Sequence, residues 1–316
     1  MVSEISLAYP LPAKARKINT ETISFNHNLP KRFLTERKKI LSNSETVVRG
    51  KPPVNYSYVK TTTHARDIYK AYEQAEDSLD FLRGIWNYIL SPSTSFRLSF
   101  NKRDPVNKII LGPLRTLHEP SGKAATTIYY YQDSYFAPIE KLSLKDDVIN
   151  QFILAEKDIR QALAKCTYAS LIRKAIIRYV RALDDTNWHS AFLNLWGVLE
   201  QLTGSGFDSY KVTIRRAAFL YNDIDYHTQV LLHLKEFRNS NVHAGETTGN
   251  IEKYMYQLKS YVELLIKYHL FHTKKLNDFD SAIAVLDLPP KKQSLSKRAL
   301  ILQTGVKFKS SITRQK

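Results

Sequence analysis

The stretch WHSAFLNLWGVLEQLTG, residues 188–204, decides the fold class of this chain. Its large apolar residues recur at intervals of three and four positions, which is the period of one helix face. These residues are Phe192, Leu195, Trp196, Leu199 and Leu202. The sequence Gly204-Ser205-Gly206 closes the segment. We therefore predict a strongly apolar helix here.

The same helical spacing continues on both sides of this stretch. Two amphipathic segments precede it, as one long helix or two in series, and three follow it, mostly with short links between them. They are residues 145–165, 167–184, 212–221, 223–242 and 251–272. Amphipathic helices with short links are typical of a bundle, so residues 143–275 are predicted to form an all-α helical bundle.

The region before the bundle mixes strand and helix patterns. Residues 1–53 are basic and punctuated by proline, and they predict an extended or loosely packed arm with a short strand at 22–25. One amphipathic helix is predicted at 63–90. Further strands are predicted at 56–61, 96–100, 108–112 and 126–135. The prediction is an α+β chain with three parts: a mixed α/β N-terminal region for sensing or partner binding (1–142), the bundle (143–275) and a basic C-terminal extension (276–316).

The charge of the chain points to a polyanionic partner. Lys and Arg number 47 against 30 Asp and Glu, which gives a formal net charge of +17 and a pI near 9.7. Such a charge attracts nucleic acid, and RNA is the expected partner, with an acidic protein as the alternative. The last segment, residues 289–316, carries eight Lys or Arg and no acidic residue. It is interpreted either as a solvated disordered tail or as an arm that wraps RNA or a partner protein.

The composition also excludes several classes of site. Cys166 is the single cysteine, so neither an intramolecular disulfide nor a cysteine-rich zinc site is possible. His227 and His233 share one helix without a third ligand at metal spacing, and we expect surface or hydrogen-bonded histidines there. No metal or cofactor is predicted. The N-terminus lacks an apolar signal segment and no apolar run reaches membrane-spanning length, so the prediction is a cytoplasmic protein without a membrane partner.

The stretch LKEFRNSNVHAGE, residues 234–246, carries the candidate chemistry. Arg238 stands five positions before His243 and directly before Asn239. Cleavage of RNA by its own 2′-hydroxyl needs a base, an acid and a cation for the phosphate, and needs no metal. Histidine supplies the first two near neutral pH, and arginine is the forked donor that fits phosphate. The alternative is a helix C-terminus where Arg and His complement the dipole.

The order of these segments resembles the HEPN superfamily, and within it the ApeA-like branch. The similarity lies in WHSAFLNLWGVLEQLTG, then VTIRRAAFLY, then the Arg-Asn-x3-His signature followed by Gly, then an amphipathic helix, and it covers roughly residues 145–275. The resemblance implies a metal-independent endoribonuclease that pairs as a homodimer. It further implies 2′,3′-cyclic phosphate and 5′-hydroxyl products, a role as a toxin or phage-defence effector, and an antitoxin or other regulatory protein.

The resemblance also assigns roles to individual residues. Arg238 would bind the scissile phosphate, His243 would be the general base or acid, and Asn239 would orient the pair or the substrate. Glu200 is a candidate supporting carboxylate, with a polar residue on the helix rim or an ion pair to Arg215 or Arg216 as the alternative. Glu246 is a second supporting candidate, with capping of the next helix as the alternative. The competing function is a non-catalytic HEPN scaffold that binds RNA or protein within a larger assembly.

Overall fold

The computed structural model describes residues 1–7, 15–18, 20–25, 29–42, 56–90, 105–132, 142–206, 209–244 and 251–313, and within helices it does not place the side chains of 146–147, 241–244 and 311–313. The strands are β1 Val2–Ile5, β2 Arg16–Ile18, β3 Glu21–Phe25, β4 Ser57–Thr62, β5 Leu114–His118 and β6 Ala124–Tyr131. The helices are α1 Lys31–Ser42, α2 Ile68–Leu90, α3 Asp146–Ala164, α4 Ala169–Asp184, α5 Trp188–Thr203, α6 Tyr210–Ala218, α7 Ile224–Ala244, α8 Ile251–Lys267, α9 Phe279–Leu286 and α10 Lys292–Thr313. A π-helical turn, Tyr268–His272, extends α8. The predicted mixture of helix and strand is confirmed.

The six strands form one antiparallel sheet in the order β2-β3-β4-β1-β5-β6. Its inner strand β1 pairs with β4, where Val2 is opposite Lys60, and with β5, where Val2 is opposite Thr116. Val2 belongs to an apolar cluster with Phe33 of α1, whereas Ile5 belongs to the larger cluster with α2. Because residues 2 and 5 lie on opposite faces of a strand, α1 and α2 cover opposite faces of the sheet.

The prediction of a loosely packed arm is wrong for the described part of residues 1–53. β1 is buried along its whole length, and Ser3 and Glu4 are buried with it. Glu4 forms an ion pair of 3.1 Å with Arg37, a buried residue of α1 that also donates to the carbonyl oxygen of Leu114 at 3.1 Å. Because these buried residues are polar, this part of the sequence lacks the apolar pattern from which a packed strand or helix is predicted. The strand expected at 22–25 is confirmed as part of β3.

Helix α2 joins the sheet to the helices that follow. It packs against β3 and β4 on one side and against α3 and α4 on the other. One buried apolar cluster contains residues from both sides of position 142, among them Trp86 of α2 and Ile176 of α4. At the same interface the buried Arg83 donates to both carboxylate oxygens of Asp184, at 2.7 and 2.6 Å. This ion pair therefore links α2 to the end of α4.

Helix α5 occupies the centre of the helical region. It packs between α4 and α8, and α6 and α7 lie against it as well. The Asn187 side chain caps its first turn by accepting from the backbone nitrogens of His189 and Ser190, and Gly204 ends it with a left-handed φ of 62°. The three tryptophans, Trp86, Trp188 and Trp196, are buried, as expected.

The basic C-terminal segment is helical and lies in solvent. Every residue of α10 with a described side chain is exposed or half-exposed, including the large apolar residues Leu300, Ile301, Leu302, Val306 and Phe308. Lys292–Thr313 is therefore helical and solvated, and its role as an arm that wraps RNA or a partner protein stays a prediction. Within the described ranges, no helix combines the length and the apolar character needed to cross a membrane.

Candidate functional site

The candidate motif lies on a single helix. Arg238, Asn239 and His243 all belong to α7, which remains helical through Ala244. Positions five apart on an α-helix differ by about 140° around the axis and about 7.5 Å along it. The backbone positions 238 and 243 therefore lie on different sides of α7. The side chain of His243 and the whole of Glu246 lie outside the described residues.

Arg238 is half-buried and packs on an aromatic ring. Its guanidinium carbon lies 5.2 Å from the centroid of Tyr210, the first residue of α6. Its Nη1 is 3.5 Å from Oδ1 of Asn239, at the long limit for a hydrogen bond. Among the described residues no carboxylate comes within ion-pair distance of Arg238. The guanidinium is therefore held by stacking, with donors left over for an anion.

The ring beneath Arg238 connects it to a candidate supporting carboxylate. Tyr210 meets Trp196 edge-on, with 6.2 Å between ring centroids. The indole Nε1 of Trp196 donates to Oε1 of Glu200 at 2.8 Å. Among the described contacts, Glu200 is therefore linked to Arg238 only through the rings of Trp196 and Tyr210.

The alternative partners proposed for Glu200 are occupied elsewhere. Arg215 and Arg216 of α6 both donate to the carboxylate of Asp287, just after α9. These bonds lower the pKa of the Asp287 carboxyl below its usual value. The cluster ties α6, and with it Tyr210, to α9.

Phe237, the neighbour of Arg238, anchors this end of α7. Its ring is buried and lies edge-on to Phe192 of α5 at 5.0 Å and 4.7 Å from Tyr254 of α8. The half-buried His189 of α5 lies 6.1 Å from the same ring. The backbone that carries Arg238 is therefore fixed against two other helices. The sequence did not single out Tyr210 or His189 as neighbours of the motif, because only tertiary packing brings them there.

The two histidines in the first half of α7, the half-buried His227 and the exposed His233, both have aromatic neighbours. His227 Nδ1 is 2.8 Å from the hydroxyl of Tyr261, and its ring stacks on Tyr221 at 3.6 Å. Burial lowers the pKa of His227 below its usual value. His233 is exposed, with its ring 5.1 Å from that of Tyr254. Across the described ranges, no three His, Cys, Asp or Glu side chains are grouped so as to hold a metal ion.

No protein-family model, curated protein or solved structure matches this chain.

Proposed function

We propose that this chain is a metal-independent endoribonuclease of the HEPN type, with Arg238 and His243 as its catalytic pair. The observation that carries the proposal is the state of Arg238. It is half-buried, stacked on Tyr210 and without a carboxylate partner among the described residues, and it precedes His243 by five positions on the same helix. An arginine held in this way suits a phosphate ligand. The net charge of +17 favours RNA as the source of that phosphate.

The proposed reaction is an internal transfer at phosphorus. A histidine accepts the proton of the ribose 2′-hydroxyl while the 2′-oxygen attacks the neighbouring phosphorus atom. The 5′-oxygen of the next nucleotide leaves and takes a proton from a histidine in its imidazolium form. Arg238 holds the non-bridging oxygens as their charge grows. The products are a 2′,3′-cyclic phosphate and a 5′-hydroxyl.

This chemistry favours a homodimer. The base and the acid act on opposite sides of the phosphate, and one motif supplies a single histidine. Positions 238 and 243 lie about 140° apart around the axis of α7, which also suits a site completed by a second α7. In the proposed dimer two copies of the motif therefore face one RNA strand. The arrangement of α3–α8 as a HEPN bundle is part of the same proposal.

The wider setting follows from the activity. An RNA-cleaving enzyme acts where RNA is, so the proposed location is the cytoplasm, and unrestrained cleavage needs an antitoxin or other regulator. Toxin or phage-defence function is the proposed role. Asn239 orients Arg238, Glu200 supports it through Trp196, and Glu246 is a candidate contact of His243.

Expression in bacteria tests the activity directly. Wild-type protein should arrest growth and produce discrete RNA fragments whose ends carry a cyclic phosphate and a 5′-hydroxyl. His243→Ala and Arg238→Ala should abolish both effects. His233→Ala is the matched control, because it removes an exposed histidine from the same helix and should leave cleavage unchanged. Purified enzyme should cleave equally well in excess EDTA, and cleavage that stops in EDTA contradicts the mechanism.

One observation favours a second candidate, an RNA-binding scaffold without catalysis. α10 exposes Lys292, Lys297, Arg298, Lys307 and Lys309 along a helix that contains no acidic residue. Such a helix binds a polyanion without any catalytic group. Salt-dependent RNA binding by wild type, without new RNA ends at any protein concentration, would select this function over the nuclease.

A further inference from the structure

A cavity of about 400 Å³ lies between the sheet and the helices that follow it. Residues from β2, α2, α3 and α4 and from the α3–α4 connection form its walls, whereas Arg238 lies on α7. Half of its lining residues are apolar: Ile18, Phe81, Leu163, Ala164 and Ala169. The polar lining residues are Lys17, Arg160, Cys166, Ser170 and Arg173. The size is in the usual range for small-molecule sites, about 300–1,000 Å³.

The charged residues that line the cavity are all basic. The lining contains two arginines and a lysine, and none of its residues carries a carboxylate. Arg160 reaches the nearby Glu156 only at 3.4 Å, because that carboxylate already accepts from Arg16 at 2.7 Å and from the indole of Trp86 at 3.1 Å. The single carboxylate of Glu156 is therefore shared by two guanidinium groups, those of Arg16 and Arg160.

The fold also fixes the two arginines in place. Arg160 Nη2 donates to the backbone oxygen of Lys17 at 2.6 Å, which holds it against β2. Arg173 lies over the ring of Phe81, with 4.9 Å from its guanidinium carbon to the centroid, and donates to Ser78 Oγ at 3.0 Å. Burial lowers the pKa of the Arg173 guanidinium. Two oriented guanidinium groups beside an apolar wall form a prepared site for an anion.

We propose that this cavity binds a 5′-mononucleotide. Three cations suit a dianionic phosphate monoester better than a singly charged carboxylate, and the forked donors of Arg160 and Arg173 match phosphate oxygens. The apolar wall of Ile18, Leu163 and Ala164 can pack against the flat face of a base, a group that inorganic phosphate lacks. Binding here is independent of the proposed nuclease activity and uses none of its residues.

Cys166 gives a direct readout of occupancy, since it lines the cavity and is the only cysteine of the chain. It is half-buried, and burial raises the pKa of its thiol, so alkylation is best followed near pH 8.5. The experiment measures the rate of Cys166 alkylation by mass spectrometry in the full-length protein with AMP, UMP, adenosine or inorganic phosphate. Calorimetry with the same four compounds gives the affinities.

AMP and UMP should slow alkylation in a saturable way, and adenosine and phosphate should bind at least about tenfold more weakly. Arg160→Met should weaken AMP binding about tenfold to a hundredfold. Ala164→Leu narrows the cavity without changing its charge and should weaken AMP binding by a similar factor. Arg178→Met removes an exposed arginine of α4 outside the cavity and should have no effect.

Three results would overturn the proposal. If AMP and UMP at millimolar concentration do not slow the alkylation of Cys166, the cavity is not a mononucleotide site. Adenosine or phosphate binding as tightly as AMP would exclude a mononucleotide as the ligand. AMP affinity unchanged in folded Arg160→Met and in folded Ala164→Leu would place binding elsewhere.

Discussion

Arg238 and Tyr210 are stacked across two helices, with the guanidinium carbon of one 5.2 Å from the ring centroid of the other. This contact joins the start of α6 to the last turns of α7. On its other side Tyr210 contacts the ring of Trp196, which is buried in the core. Stacking restricts the arginine to a small set of positions while its N–H groups stay available. Because Tyr210 positions the guanidinium and Arg238 supplies its charge, a substitution at Tyr210 tests the position alone.

Tyr210→Leu should lower RNA cleavage without removing the charge of Arg238. Leucine keeps an apolar side chain at the position but does not provide the flat ring, so the guanidinium has no surface to stack on. We expect kcat to fall about tenfold, because a guanidinium that is no longer held in place loses roughly one hydrogen bond to the transition state. Tyr226→Leu is the matched control, because Tyr226 is an exposed tyrosine at the other end of α7. Single-turnover cleavage with a short RNA measures the difference. Equal rates for the two variants would contradict the positioning role.

Arg83→Met should destabilise the fold strongly. Arg83 is fully buried, and its removal leaves the carboxylate of Asp184 in the interior without that cation. Removing one partner from a buried ion pair costs about 3–5 kcal/mol. Urea denaturation at pH 7 measures the free energy of unfolding. Lys70→Met, which breaks the exposed pair of Lys70 with Glu73, is the control and should change it by less than about 1 kcal/mol. Similar effects in the two variants would contradict the buried arrangement.

Stability should decline with acid in the range where His269 titrates. Burial lowers the pKa of His269 from 6.5 to about 4. Its Nε2–H donates to the Leu202 carbonyl oxygen at 2.8 Å, and its Nδ1 is 3.1 Å from the Tyr168 hydroxyl. The folded state thus prefers the neutral ring, and the unfolded chain takes up the proton first. This contribution is complete above about pH 6.5, falls as the pH drops, and is lost by about pH 4, with a size on the order of 3 kcal/mol.

Urea denaturation at pH 7.5, 5.5 and 4.5 checks the effect, with His269→Gln as the comparison. The variant should be less stable at pH 7.5, because it lacks the packed ring, but the difference from wild type should shrink at pH 4.5. A constant difference across the three pH values would assign the acid sensitivity to other groups.

The helices from α3 to α8 can be predicted closely from the sequence because most of them show one apolar face. The apolar spacing predicts a helix over residues 188–204 and Trp188–Thr203 is helical, with the cap at Asn187 and the stop at Gly204 visible in the sequence. The sheet is harder to predict. β1 contains Ser3 and Glu4 facing the interior, and the face that α1 buries includes Arg37. A pattern that treats polar residues as exposed cannot find such elements, since their burial depends on partners far away in sequence.

Other strand predictions failed or succeeded for local reasons. The expected strand at 108–112 has only an isolated bridge between Leu111 and Ile5, while the described strand begins after Pro113 as β5. The strand expected at 126–135 overlaps β6, and the one expected at 96–100 lies outside the described residues. For the candidate site, the motif nominates Arg238, Asn239 and His243, whose roles remain a prediction, whereas the contact of Tyr210 with Arg238 could be found only from the packing of α6 on α7. The predicted boundary between the N-terminal region and the helical bundle, at residue 142, remains a prediction.

Deleting residues 289–316 should leave the fold intact and weaken RNA binding. The helix α10 is exposed along its length, so its removal exposes little new apolar surface, and the Tm should change by no more than about 2 °C. The deletion removes eight of the 47 Lys and Arg residues and no acidic residue. For every phosphate that α10 neutralises, the slope of log affinity against log salt should fall by about 0.7 with single-stranded RNA. Titrations of a fluorescent RNA at several salt concentrations measure this slope.

A matched substitution separates charge from length in the same helix. Changing all eight Lys and Arg residues of 289–316 to Gln keeps the length and the apolar residues of the segment but removes its positive charge. If α10 binds RNA through its charged side chains, this variant should reproduce most of the affinity decrease seen on deletion. If affinity falls only on deletion, the exposed Leu300, Ile301 and Phe308 bind the RNA instead, and the salt dependence should then match wild type. An unchanged affinity in both variants would exclude α10 from RNA binding and leave the charge of the remaining chain to account for it.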